Sequence, residues 1–305
     1  MLIEDVTRRG LLLFVSMCVI WGIPYLLIRV AVGELSPATL VFLRTGVAAL
    51  ILMPIVLIRG GFGEIRRWWL PMVAFAAVEI GLPWFLLSSA EQRITSSLAG
   101  LLISGVPLVG TIIAPLFGNR DWIGRTGLIG LLIGLVGVGA IVGFDLRASD
   151  PLALVEIALV AVGYAIGPAI LSKYLKGVPS VTVTGLSLTL CALAYAPLAI
   201  VQWPHTMPSV NVIGSVAVLA ILCTALAFLL FFALIAEVGP VRATVITYFN
   251  PAVAALLGVV VLHENFTFGM AVGFALVLVG STLATRKRSS ARSPAPIAEP
   301  QLREA

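Results

Sequence analysis

Ten runs of mostly apolar residues divide this chain, at about 11–32, 37–58, 69–89, 94–117, 123–144, 152–172, 181–201, 211–235, 242–262 and 266–285. Crossing the hydrocarbon core of a bilayer takes about 20 residues of α-helix, and each run meets that length. Lipid offers no partner to a free N–H or C=O, so a run of this kind folds as a helix that satisfies its own backbone. A membrane β-barrel would show alternating rather than continuous apolar residues. Only 11% of the 305 residues are charged and 60% are hydrophobic. A soluble domain keeps roughly a quarter of its residues charged to face water. The expected fold class is therefore all-α, a polytopic membrane protein with ten transmembrane helices.

The net charge of +5 does not point to nucleic acid, because the basic residues form short clusters between the apolar runs. That arrangement belongs to membrane topology. With the N-terminus placed in the cytoplasm, all of the 19 Lys and Arg residues fall on the inner side except Arg29, Arg93, Arg147 and, within a span, Arg44. Such a bias predicts a plasma (inner) membrane protein with both termini cytoplasmic. Arg8 and Arg9 precede a run that continues to about Val30 without a small-residue cleavage site, so the first run reads as an uncleaved span. Residues 1–10 form a short cytoplasmic N-terminus, and 286–305 a basic tail rich in Ser, Pro and Ala that reads as disordered. Turn signals such as Gly60-Gly61-Phe62-Gly63 and Gly118-Asn119-Arg120-Asp121 mark the connections. Cys18, Cys191 and Cys223 lie inside apolar runs without metal-ligand spacing and read as packing residues, so no metal and no cofactor is expected.

The halves 11–145 and 151–285 look related. At a spacing of 143, Trp21 meets Tyr164, Pro54 meets Pro197, Asp121 meets Glu264, Gly130 meets Gly273 and Gly137 meets Gly280. At 144, Pro24 meets Pro168 and Pro107 meets Pro251. A unit of five spans is odd, so a second copy enters the membrane inverted. Inverted repeats are a recurring plan of secondary transporters, with the substrate site near the midplane between them.

Residues 248–280, YFNPAVAALLGVVVLHENFTFGMAVGFALVLVG, carry a Pro early in the ninth span, a small-residue stretch, an acidic residue at the helix end and a Gly-spaced tenth span. Residues 107–139, PLVGTIIAPLFGNRDWIGRTGLIGLLIGLVGVG, repeat the order with Asp121 in the acidic position, and Trp21-Gly22 followed by Arg44 opens the chain. Over about 11–285 the sequence resembles the EamA-type transporters of the drug/metabolite transporter superfamily. It departs from them at His263, where the family usually has Gly, and at Asp121, where it usually has Glu. The resemblance implies a ten-helix bundle of two inverted five-helix units, with spans one to four and six to nine around a central cavity and spans five and ten outside. It also implies transport of a small metabolite such as an amino acid, a sugar or a nucleobase.

An ionisable side chain at the centre of a span costs about 2.5–3.5 kcal/mol on insertion scales, so it needs a reason. Glu79 is ten residues into the third run, roughly 15 Å of helix rise. Arg44 is seven residues into the second, roughly 10 Å deep. Facing the cavity, Arg44 would attract a substrate carboxylate, and Glu79 an amine or a coupling proton; the bland alternative is that the two neutralise each other. Glu156 is about one turn into the sixth run and is expected to snorkel to the interface. Trp21, Tyr25, Tyr164 and Tyr248, together with Trp84, Phe85 and Phe249, are candidate cavity aromatics, against a role in plain helix packing. Trp68 and Trp69 beside Arg66 and Arg67 fit an interfacial belt better. Asn250 offers a donor and an acceptor beside Pro251, whose missing N–H frees a carbonyl in the turn before it. Pro107 is the counterpart in the fourth run, so both prolines are hinge candidates, the alternative being simple kinks. Asp121 and Glu264, at span ends, read as helix-start or loop anchors. The glycines at 127, 130, 134 and 137 allow close helix packing, within one chain or in a homodimer.

These readings converge on a carrier with alternating access, exporting a small organic solute, with a solute gradient, a proton gradient or neither as its energy source. Its partners are a small-molecule substrate and the lipid bilayer, as monomer or homodimer, with no nucleic acid. A membrane-embedded enzyme would need clustered catalytic residues, and His205 and His263 stand alone. A channel or non-transporting sensor would need a filter sequence or an attached soluble domain. No GxxxxGK[ST] sequence is present, which argues against ATP-driven pumping.

Overall fold

The computed structural model describes residues 7–59, 65–117, 124–143 and 150–285. The expectations for Asp121, for the Gly60–Gly63 and Gly118–Asp121 turns and for the tail lie outside these residues. The described residues form ten helical spans: Arg8–Ala31, Pro37–Ile58, Arg67–Ala90, Ser96–Phe117, Arg125–Gly143, Pro151–Tyr174, Ser180–Val201, Val210–Val238, Thr244–Leu262 and Phe268–Thr285. They are numbered one to ten in that order. Large apolar side chains such as Leu50, Ile58, Leu116 and Val201 point outward with more than three quarters of their surface exposed. Lipid is the solvent that suits such a surface.

Several spans are interrupted, each at a place with a local cause. Span one is helical over Arg8–Ile20 and again over Ile23–Ala31. Pro24 has no N–H to continue the ladder, and Gly22 N–H turns to the Val19 carbonyl instead. Span four breaks at Ser104-Gly105, whose N–H groups bond three residues back to Leu101 and Leu102. Pro107 follows. Span nine opens as a 3-10 turn, Thr244–Tyr248, and becomes α-helical from Asn250. The breaks at 104–105 and 248–249 stand at the 144-residue spacing that relates Pro107 to Pro251. Pro168, the counterpart of Pro24, leaves the helix Pro151–Tyr174 unbroken.

Spans three and eight each contain a π-helical turn, Ala76–Gly81 and Ile221–Leu226. These turns are offset by 145 residues, so the two halves repeat the irregularity as well as the helices. A π turn carries one extra residue and loosens the carbonyl ladder. Side chains take up the slack. Cys191 Sγ donates to the Ala76 carbonyl at 3.3 Å and Tyr195 Oη to that of Gly81 at 3.0 Å, both from span seven. In span eight, Thr224 Oγ1 donates to the Leu219 carbonyl at 2.8 Å.

Spans five and ten pack against each other through their glycines. A Cβ at Gly137 would fall 2.7 Å from the Gly273 carbonyl oxygen, and one at Gly280 would fall 2.6 Å from that of Gly130. The small-residue stripe of span five is thus used within the chain, a choice the sequence leaves open.

Candidate functional site

Arg44 is 6% exposed in the middle of the bundle. Its guanidinium carbon lies 3.6 Å from the centroid of the Trp84 ring of span three, and its Nε donates to Thr224 Oγ1 of span eight at 2.9 Å. Thr224 sits in one π turn and passes its own proton to Leu219, so the Thr224 oxygen is free to accept from Arg44. Trp84 follows the other π turn. A guanidinium stacked on an indole is held by its face, which leaves the planar fork of N–H groups for an in-plane acceptor.

Tyr25 and Trp84 are 8% and 7% exposed and, with Arg44, form a closed centre. Tyr25 packs across Gly100 of span four, where a Cβ would come within 3.7 Å of its ring. Tyr164 of span six packs against both main core clusters, the second of which contains Trp84. The structure brings Tyr25, Arg44 and Tyr164 into one electrostatic cluster.

Glu79 occupies the π turn of span three and faces span six. Its carboxylate lies over Gly167, where a Cβ would fall 1.8 Å from Oε2, and Oε2 is buried without a hydrogen-bond partner. Arg44 and Glu79 do not pair: the ion pairs among the described residues are those of Arg93 with Glu156 and with Asp150. Mutual neutralisation is therefore not what holds either residue in the membrane.

Other expected site residues sit elsewhere. Trp21 packs on Phe228 and Phe231 of span eight, at 5.9 and 4.7 Å between ring centroids, apart from Tyr164. Tyr248 is half-buried at the end of its 3-10 turn, and the neighbouring Phe249 meets Phe14 edge-on at 5.8 Å. With its amide oriented so that donors meet acceptors, Asn250 Nδ2 lies 3.1 Å from the Cys18 carbonyl oxygen and 3.0 Å from that of Ile246. It ties span nine to span one. Glu156 does not snorkel free: Arg93 engages one carboxylate oxygen and Ser89 Oγ donates to the other at 2.9 Å. The groove of about 580 Å³ along spans two and seven, lined by Phe42, Gly46, Leu50, Met53 and Ala192, is apolar and opens outward beside the exposed Leu193.

Glu264 anchors a helix start, as its position at a span end suggests, but the helix is span four. Its Oε1 accepts from Ser96 N–H at 2.8 Å and Ser96 Oγ at 3.0 Å, and its Oε2 from Ser97 N–H at 2.9 Å and Ser97 Oγ at 2.6 Å. A carboxylate there meets the positive end of the helix dipole. The turn that swings Glu264 back is made by His263, at φ 55° and ψ 34°. That left-handed conformation explains why glycine suits the position. Sequence reasoning missed Thr224 and Gly167. Thr224 was findable, since it stands 145 residues after Glu79. Gly167 carries no signal beyond being glycine.

Ten spans in two inverted halves around a buried cation define a membrane transporter of the drug/metabolite type. The EamA-like transporter family matches residues 8–143 and 152–286, one match for each half, and this chain belongs to that family. It is 27% identical to an uncharacterized transporter of Archaeoglobus fulgidus, across 88% of this chain and 95% of that protein. It is 26% identical to the uncharacterized inner membrane transporter YedA of Escherichia coli, across 80% and 79%. It is 23% identical to the uncharacterized transporter YvbV of Bacillus subtilis, across 95% of both. A solved crystal structure superposes with a TM-score of 0.65 at 22% identity, covering 90% of this chain and 96% of that one.

Proposed function

We propose that the chain exports a small amino acid-like metabolite by alternating access, with both termini in the cytoplasm. Arg44 takes the substrate carboxylate on its free fork, Trp84, Tyr25 and Tyr164 cover the apolar part, and Glu79 takes the amine or a coupling proton. The observation that carries this reading is a buried Arg44 held by a ring face and a hydroxyl, with no carboxylate paired to it among the described residues. A cation kept in the membrane without a structural counter-ion marks a substrate or ion pathway. Support for the orientation comes from the charge bias of the connections. The inverted halves supply the symmetry that lets one site face either side in turn.

The test is a counterflow screen in proteoliposomes with amino acids, their decarboxylated amines and their amides, with and without an imposed pH gradient. Saturable counterflow of a carboxylate-bearing solute, lost in the amide, is the expected result. Movement of the amide and the acid at equal rates would sink the role of Arg44. Chemical conversion of the solute without net movement would sink transport itself.

A further inference from the structure

Span three ends at Ala90, and the next residue, Glu91, is 0% exposed. Neither of its carboxylate oxygens has a hydrogen-bond partner. Arg29 of span one reaches Glu91, yet donates to its main-chain carbonyl. The charged and titratable groups around the side chain come from every neighbouring element. They are Tyr25 and Arg29 of span one, Arg44 of span two, Tyr164 of span six, and Glu264 of the connection between spans nine and ten. Arg93, two residues on, is engaged by Glu156 and Asp150.

The two acids at this face differ in what donates to them. Glu264 accepts four hydrogen bonds, two from main-chain N–H groups and two from hydroxyls. Glu91 accepts none and lies near that charge. A buried carboxylate without donors neutralises rather than bear its desolvation. Burial first, then the charge of Glu264, push the Glu91 carboxyl well above the usual carboxylate range, against weaker pulls from Arg29 and Arg44.

We propose that Glu91 is a proton-binding site of the closed Arg93–Glu264 face, loaded when that face closes and emptied when it opens. On closure a proton from water forms an O–H bond on one carboxylate oxygen; on opening that bond breaks and the proton returns to water. No other reactant is needed. The role in coupling rests on the transport reading above, because a face that closes with a proton ties the solute cycle to a pH difference. The sign follows from the raised value: the closed face is favoured at low pH and loses stability as pH rises through that value. Ionised Glu91 then repels Glu264 and loosens its hold on Ser96 and Ser97.

The experiment is infrared titration of the full chain in liposomes, following the band of a protonated carboxyl in wild type, Glu91→Gln, Glu91→Asp and Glu79→Gln. At neutral pH one contribution to the band should be lost in Glu91→Gln, move in Glu91→Asp and stay in place in Glu79→Gln. A wild-type spectrum without a contribution removed by Glu91→Gln and moved by Glu91→Asp overturns the site. With any solute that the wild type moves, Glu91→Gln should keep counterflow and lose accumulation driven by a pH gradient. Full gradient response in Glu91→Gln overturns the coupling even if the band is present. If no solute moves in wild type, the transport reading fails while the infrared result still decides the proton site.

Discussion

Arg44 of span two donates from Nε to the hydroxyl of Thr224 of span eight at 2.9 Å, across the boundary between the two halves of the chain. The contact exists because a π turn rotates Thr224 inward, and it leaves Arg44 held in place without spending its charge on a carboxylate.

Arg44→Lys should therefore be far from neutral. An ammonium can neither stack as a plane on Trp84 nor present a fork. A charged hydrogen bond contributes about 1.5–3 kcal/mol, so solute affinity should fall roughly 10- to 100-fold. Thr224→Val should give a smaller loss in the same direction, because it removes only the Nε acceptor. Both are read by counterflow; Arg44→Lys at wild-type affinity would refute the site.

Gly167→Ala should destabilise the protein by about 1–3 kcal/mol, the usual range for overpacking, because its Cβ would meet the Glu79 carboxylate. Combined with Glu79→Ala, the cost should largely disappear. A double-mutant cycle by thermal unfolding in detergent measures this coupling, and strict additivity would show that the two side chains do not meet.

Glu264→Ala should cost about 1–2 kcal/mol, the range for losing a helix cap with its favourable charge. His263→Gly should do the opposite, stabilising by about 1 kcal/mol through relief of the left-handed backbone. Opposite shifts in melting temperature from adjacent residues are the expected outcome, and shifts of one sign would contradict the turn.

Gly137→Val and Gly280→Val should each cost about 1–3 kcal/mol or more, because backbone atoms lie where the new Cβ would go. Gly139→Val, with nothing within 4 Å of its Cβ position, is the control and should be nearly silent. Unfolding midpoints decide between them.

The helical bundle was legible because lipid makes the pattern blunt. The ten apolar runs match the ten spans to within a few residues, since a helix must cover the hydrocarbon thickness wherever its exact ends fall. Trp21 and Tyr164 show where the reading by repeat position thins out. They stand at equivalent places, yet Pro24 breaks its helix and Pro168 does not, so the two side chains reach different neighbours. Arg44 and Glu79 were visible as costly residues, while their surroundings were not. A π turn carries no clear signature in composition, and it is the two π turns that present Thr224 to Arg44 and Glu79 to Gly167. Glu91 escaped notice because a run drawn to residue 89 leaves it in a connection, where an acid appears to need no explanation.

Main chain comes against main chain at the glycines between spans five and ten, which leaves that pair little room to slip or repack. Whatever swings in the other eight helices swings around a fixed post. A second copy of the protein cannot dock on those glycines without prising the post apart, and any self-association has to find its footing on another flank of the molecule.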